Sequence, residues 1–153
     1  MRRTLSIPEW HKMAQEGEAP SVRIQLNGYS MNPLIRGYCD YVTVIPLGDQ
    51  PQTGDIVLFC EPGTQRYVMH RVWDQKDGKI LTWGDNCLKP DGWMPVEAIW
   101  GKISLIERGR RKIQPNPFKG MIWAKFWHQA GKVYRLGQRY KAGIMRRIRR
   151  QKV

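Results

Sequence analysis

The sequence predicts a mainly β protein: a curled, largely antiparallel sheet or partly open barrel, with a short helix before it and a basic amphipathic helix after it. Three observations carry that reading. Between Val22 and Arg108, short runs rich in β-branched and aromatic residues follow one another. The segments between them carry the Gly, Pro, Asn and Asp that tight connections use. No helical period long enough for a βαβ crossover separates the runs. With 153 residues, 41% of them apolar, the chain suits one domain with tails.

Taken in order, residues 1–19 form an N-terminal helical segment. IPEWHKMAQE, from Ile7 to Glu16, has Pro8 at an early helical position and Gly17 just beyond its end, and it reads as a lid or docking element. Residues 20–113 form the β domain, with strands expected at VRIQL, DYVTVI, DIVLFC, RYVMHRVW, KILTW and AIWGKISLIE. GDQPQTGD, EPGTQ, QKDGK and DNCLKPDG supply the turns. QPNPF, at 114–118, ends the β pattern with two prolines. In the tail, 114–153, Phe118, Ile122, Phe126, Ala130, Val133, Tyr140, Ile144 and Ile148 recur at helical spacing, weakened by Gly131, Gly137 and Gly143.

The net charge of +13 is unevenly placed. Residues 1–107 hold 11 Lys/Arg against 13 Asp/Glu, whereas residues 108–153 hold 15 Lys/Arg and no acid. The tail's partner is therefore a separate question from the chemistry of the β domain. Cys39, Cys60 and Cys87 are odd in number and widely spaced, which argues against a disulfide framework or a structural metal and for a reducing compartment. No cofactor is indicated. Charges interrupt every apolar run before it reaches the roughly 18 residues of a spanning helix, so neither a secretory leader nor a membrane span is expected. A cytoplasmic location follows, with peripheral attachment to the inner face of the membrane as an extension of it.

Chemistry concentrates in GYSMNPLIRGYCDYVTVIP, from Gly28 to Pro46. Ser30 follows a glycine turn and precedes a strand, the setting in which a hydroxyl is exposed beside backbone N–H groups. Serines in glycine turns are common, so this placement alone does not define a nucleophile. GYSMNPLI followed by GYCDYVTV resembles the nucleophile box of the signal peptidase I and LexA-like serine peptidases. TGDIVLF, YVMHRVW, LTWGDNCLKPD and IWGKISLI follow in that family's order, so that the resemblance covers residues 22–108.

The resemblance implies the curled β fold of those catalytic domains, with Ser30 as nucleophile and His70 as general base. A histidine there is similar to the endoplasmic-reticulum and archaeal-type signal peptidases, where the bacterial enzymes use a lysine. An imidazole has an ordinary pKa already suited to a base. It also implies an orienting carboxylate: Asp91 matches the third triad position, with Asp85 ranked behind it, and both equally suit turn-capping roles. Arg71 is expected on the opposite strand face, at the surface or paired with a carboxylate. Gly28 stands where signal peptidases commonly carry a serine, which leaves the oxyanion to backbone N–H groups, Ser30's own among them. Met31 and the strand from Tyr41 to Ile45 would line an apolar cleft holding the substrate as an added strand, with a small side chain at the cleaved position. Val42 and Val44 suit the core equally well.

For the tail, Trp123, Phe126 and Trp127 with Arg146, Arg147, Arg149 and Arg150 suit an anionic membrane surface. Nucleic acid ranks behind it, and packing of the helix back on the β domain is the third option. Three readings follow: a serine endopeptidase acting on a precursor peptide or partner protein; a LexA-like autoproteolytic regulator, which lacks room for a helix-turn-helix and an Ala-Gly or Cys-Gly cleavage pair before Ser30; and a non-catalytic membrane- or nucleic-acid-binding protein on a peptidase-like fold.

Overall fold

The computed structural model describes residues 6–61 and 63–131. Among these, eight antiparallel strands form one open sheet: β1 (Val22–Gln25), β2 (Tyr41–Pro46), β3 (Ile56–Cys60), β4 (Tyr67–Lys76), β5 (Lys79–Trp83), β6 (Gly92–Pro95), β7 (Ile99–Arg108) and β8 (Arg111–Ile113). The order is β1-β2-β7-β3-β4-β5-β6, with β8 added to β7. A single 3-10 turn, Val96–Ala98, leads into β7. The mainly β architecture is the expected one. The six expected runs all become strands; β6 and β8 are additional. Each is too short, and too poor in β-branched residues, to stand out by composition.

The central strand of the sheet is covered on both faces. In β3 all of Ile56, Val57, Leu58 and Phe59 are buried. Ile56 and Leu58 join Val42, Val44, Met69, Ile103 and Ile106 in one core. Val57 and Phe59 join Val72, Ile80, Met94 and Ile99 in a second. By contrast β2 alternates, as a strand with one wet face does.

Helix α1 (Ile7–Gln15) begins with a capping box: the Glu9 N–H donates to Ser6 Oγ, and the Ser6 N–H donates to Glu9 Oε2 at 2.9 Å. Its Trp10 is fully buried in the first core and donates Nε1–H to the Pro20 carbonyl at 2.6 Å. A Cβ on Gly101 would come within 2.7 Å of the indole, so that glycine in β7 is what lets α1 sit down. His11 stacks on Trp100 at 4.0 Å. The helix is thus docked on the core through Trp10, the docking alternative of its sequence reading and not the lid.

The second helix, α2 (117–131 as far as described), starts at the Asn116-Pro117 pair, where the Lys119 N–H donates to Asn116 Oδ1 at 2.9 Å. It lies against the β domain through Met121, Ala124 and His128. His128 packs on Trp83 at 4.2 Å and edge-on to Trp73 at 5.0 Å. The apolar row read from the sequence therefore faces outward: Phe118, Ile122 and Phe126 are 74%, 57% and 63% exposed. At one point the seat admits no side chain. A Cβ on Gly120 would fall 2.4 Å from Arg71 Nη1, so the helix rests directly on a buried guanidinium.

Candidate active site

Ser30 sits in a loop between β1 and β2 that is pinched shut at its base. A Cβ on Gly37 would lie 1.6 Å from the Gly28 carbonyl oxygen, and Gly28 holds φ +135°, so both positions require glycine. The Tyr38 N–H closes the loop onto the Leu26 carbonyl at 2.9 Å. Asp40, buried, accepts the Arg36 N–H at 2.8 Å and the Arg108 guanidinium, at 2.6 Å from Nη2. Arg108 also donates to the Leu34 carbonyl. Burial would raise the Asp40 carboxyl's pKa, but the hydrogen bond and charge of Arg108 outweigh that and hold it below the usual carboxylate range.

The other half of the site comes from β4, β5 and the turn after β5. His70, buried on β4, has Nδ1 at 2.6 Å from Asp91 Oδ2, and Thr82 on β5 donates its hydroxyl to the same oxygen at 2.7 Å. Burial alone would lower the imidazole's pKa. The Asp91 hydrogen bond and charge, with a smaller contribution from Cys87, outweigh it and raise the value to about 9. The site therefore favours the imidazolium, unlike the unperturbed imidazole expected from sequence.

The two halves converge on Gly84. A Cβ there would come within 2.8 Å of His70 Nε2, 2.8 Å of the Ser30 carbonyl oxygen and 2.7 Å of Cys87 Sγ, so only glycine lets these three groups approach. The Asn86 N–H donates to the Ser30 carbonyl at 2.7 Å, and its side chain donates to the Tyr29 carbonyl at 3.1 Å. The serine's backbone is thereby held beside the imidazole. No hydrogen bond joins the Ser30 hydroxyl to Nε2, which faces Cys87 Sγ at 3.9 Å. Among the described residues the Ser30 N–H donates to no carbonyl, which leaves it available to a developing oxyanion.

Of the two aspartates named from the sequence, only Asp91 meets His70. Asp85 points elsewhere: its oxygens accept Arg71 Nε at 2.9 Å and Nη2 at 2.7 Å, and Nη1 donates to the Gly54 carbonyl at 2.9 Å. Asp85 is therefore corrected from a candidate orienting carboxylate to half of a buried ion pair, with 1% and 0% of the two side chains exposed. Arg71 pairs with a carboxylate as one expectation held, but it is not at the surface. Thr82, Gly84, Asn86 and Cys87 were not singled out from the sequence. The signal available for the last three was their place in the same WGDNC turn that carries Asp85.

Two pockets flank this cluster. A small one of about 50 Å³ is lined by Leu26, Gly28, Ser30, Met31, Tyr67 and Met69. A larger one of about 440 Å³ lies between Asp85, Asn86 and Cys87 on one side and Trp127 and His128 on the other. Met31 lines the small pocket beside Ser30, but the Tyr41–Ile45 strand does not: β2 is paired on both edges, with β1 and β7, and its Val42 and Val44 are core residues. An open edge exists instead at Tyr67–Met69, which pair with β3 only, because β5 joins β4 from Arg71 onward.

Of the tail residues named for membrane or polyanion contact, Trp123 is 40% exposed and Phe126 63%, while Trp127 is half-buried. Arg146, Arg147, Arg149 and Arg150 lie outside the described residues. Among the described residues no helix is long and apolar enough to cross a membrane. No protein-family model matches the chain, and the search of curated proteins found no match.

Proposed function

We propose that the chain is a serine endopeptidase using Ser30, His70 and Asp91, and that it cleaves a precursor peptide or partner protein. The observation that carries this reading is the convergence at Gly84, where an imidazole held by a carboxylate lies beside the serine of a Gly-x-Ser-Met-x-Pro loop. Catalytic hydrogen bonds often close only when substrate is bound, so the open Ser30 to His70 contact is compatible with it. Its motif order supports the likeness to signal peptidase and LexA-like catalytic domains.

In this mechanism Ser30 Oγ attacks the scissile carbonyl while His70 Nε2 takes its proton, and the oxyanion is held by the Ser30 N–H. Collapse breaks the C–N bond, and the imidazolium returns the proton to the departing amine. Water then attacks the acyl-enzyme, giving its proton to Nε2, and collapse breaks the C–Oγ bond as the imidazolium returns that proton to Ser30 Oγ, releasing the carboxylic acid product. Asp91 accepts the Nδ1–H throughout, fixing the tautomer and favouring the cation. The substrate backbone adds to the open Tyr67–Met69 edge, and the small pocket takes a small side chain.

Cys87 favours a second reading, in which a thiol 3.9 Å from Nε2 is the nucleophile. Ser30 is preferred because it lines the small pocket and its own N–H donates to no carbonyl, whereas the Cys87 N–H donates to the Gly84 carbonyl at 2.9 Å. The direct test is digestion of a mixed peptide library, read by mass spectrometry. The wild type is expected to cut after small residues and Ser30→Ala to leave the library intact. Cleavage surviving in Ser30→Ala but lost in Cys87→Ala would support the thiol instead, and no cleavage by the wild type would favour a non-catalytic role.

A further inference from the structure

The outer face of α2 has no counterpart in the β domain and no use in the proposed chemistry. Phe118, Ile122 and Phe126 stand four residues apart, one above another on the helix, and each is more than half exposed. Trp123 continues the patch, stacking on Trp127 at 5.8 Å and approaching Phe126 at 6.0 Å. The opposite face is already used, with Met121, Ala124 and His128 packed on the sheet. A folded helix therefore holds a contiguous apolar row in water, which marks an interaction surface.

We propose that this row is a docking surface for an anionic lipid membrane. The charge of the chain selects that occupant: from residue 108 on there are 15 Lys/Arg and no Asp/Glu, and the exposed Lys119 and Lys125 flank the row without interrupting it. A nucleic-acid face would place cations in the contact row itself to meet phosphates. Here the contact row is hydrocarbon and the cations are beside it, the arrangement that buries apolar side chains among acyl chains while ammonium groups meet headgroup phosphates. Docked this way, the helix lies in the interface plane and carries the β domain on its other side.

Flotation of the full-length protein tests the proposal, with vesicles of phosphatidylcholine plus phosphatidylglycerol compared against phosphatidylcholine alone. The wild type is expected to float with the anionic vesicles only. A triple variant, Phe118→Ala, Ile122→Ala and Phe126→Ala, is expected to bind about tenfold or more weakly with unchanged thermal unfolding. Lys119→Glu with Lys125→Glu keeps the row and is expected to weaken binding in a salt-dependent way. The proposal is overturned if the wild type stays in the soluble fraction, if the triple variant floats as well as the wild type, or if the row proves to be needed for binding single-stranded nucleic acid and not vesicles.

Discussion

At the scale of single residues, the two aspartates of one turn have separable jobs, and that separation can be measured. His70 has a folded pKa of about 9, above its ordinary 6.5. The His70–Asp91 contact therefore adds stability that is fully present below about pH 6.5 and is lost as pH rises through about 9. Activity needs neutral Nε2, so kcat/KM should rise with pH toward a midpoint near 9. In Asp91→Asn the His70 titration, followed by ring-proton NMR, should move to lower pH, with a sharply reduced maximal rate. In Asp85→Asn it should stay in place, while denaturant unfolding reports a loss of about 3–5 kcal/mol, the usual cost of breaking a buried pair on one side. The reverse pattern would reassign the orienting role to Asp85. Ser30, His70 and Asp91 were legible only through the resemblance of their motifs to those of the signal peptidase and LexA-like peptidases, which implied all three. Asp85's role was not legible, since its partner Arg71 lies fourteen positions away on another strand and is identified only by the fold. Cys87 was set aside as a widely spaced thiol, and no local pattern places it against an imidazole on β4.

At the scale of elements, the Ser30 loop depends on two glycines meeting across its base. Gly37→Ala would drive a methyl group into the Gly28 carbonyl, 1.6 Å away, and the backbone must part to admit it. The variant should retain the sheet by circular dichroism and lose peptide cleavage; full activity would show that the pinch does not set the position of Ser30. The strands themselves were legible where they are long or apolar, as in β3, β4 and β7. β6, four residues with Gly92 and Pro95 at its ends, looks like a turn until Ile80 and Leu81 of β5 pair with it. In α2 the helical period was visible but the buried face was not. Hydrophobic spacing favours the largest side chains, whereas the seat over Arg71 admits the helix only where Gly120 removes one.

At the scale of the whole molecule, a near-neutral β domain is joined to a strongly basic, acid-free segment, and the two carry different functions on this account. Both cores meet on β3, so the sheet that builds the site is also the one that buries α1 and seats α2. The central claim is that Ser30 is a nucleophile activated by His70. It is tested most directly by treating the full-length protein with a fluorophosphonate and mapping the adduct by peptide mass spectrometry. The account predicts a single adduct on Ser30, absent in Ser30→Ala and strongly reduced in His70→Ala. Equal labelling of all three proteins, or an adduct elsewhere in the chain, would contradict it.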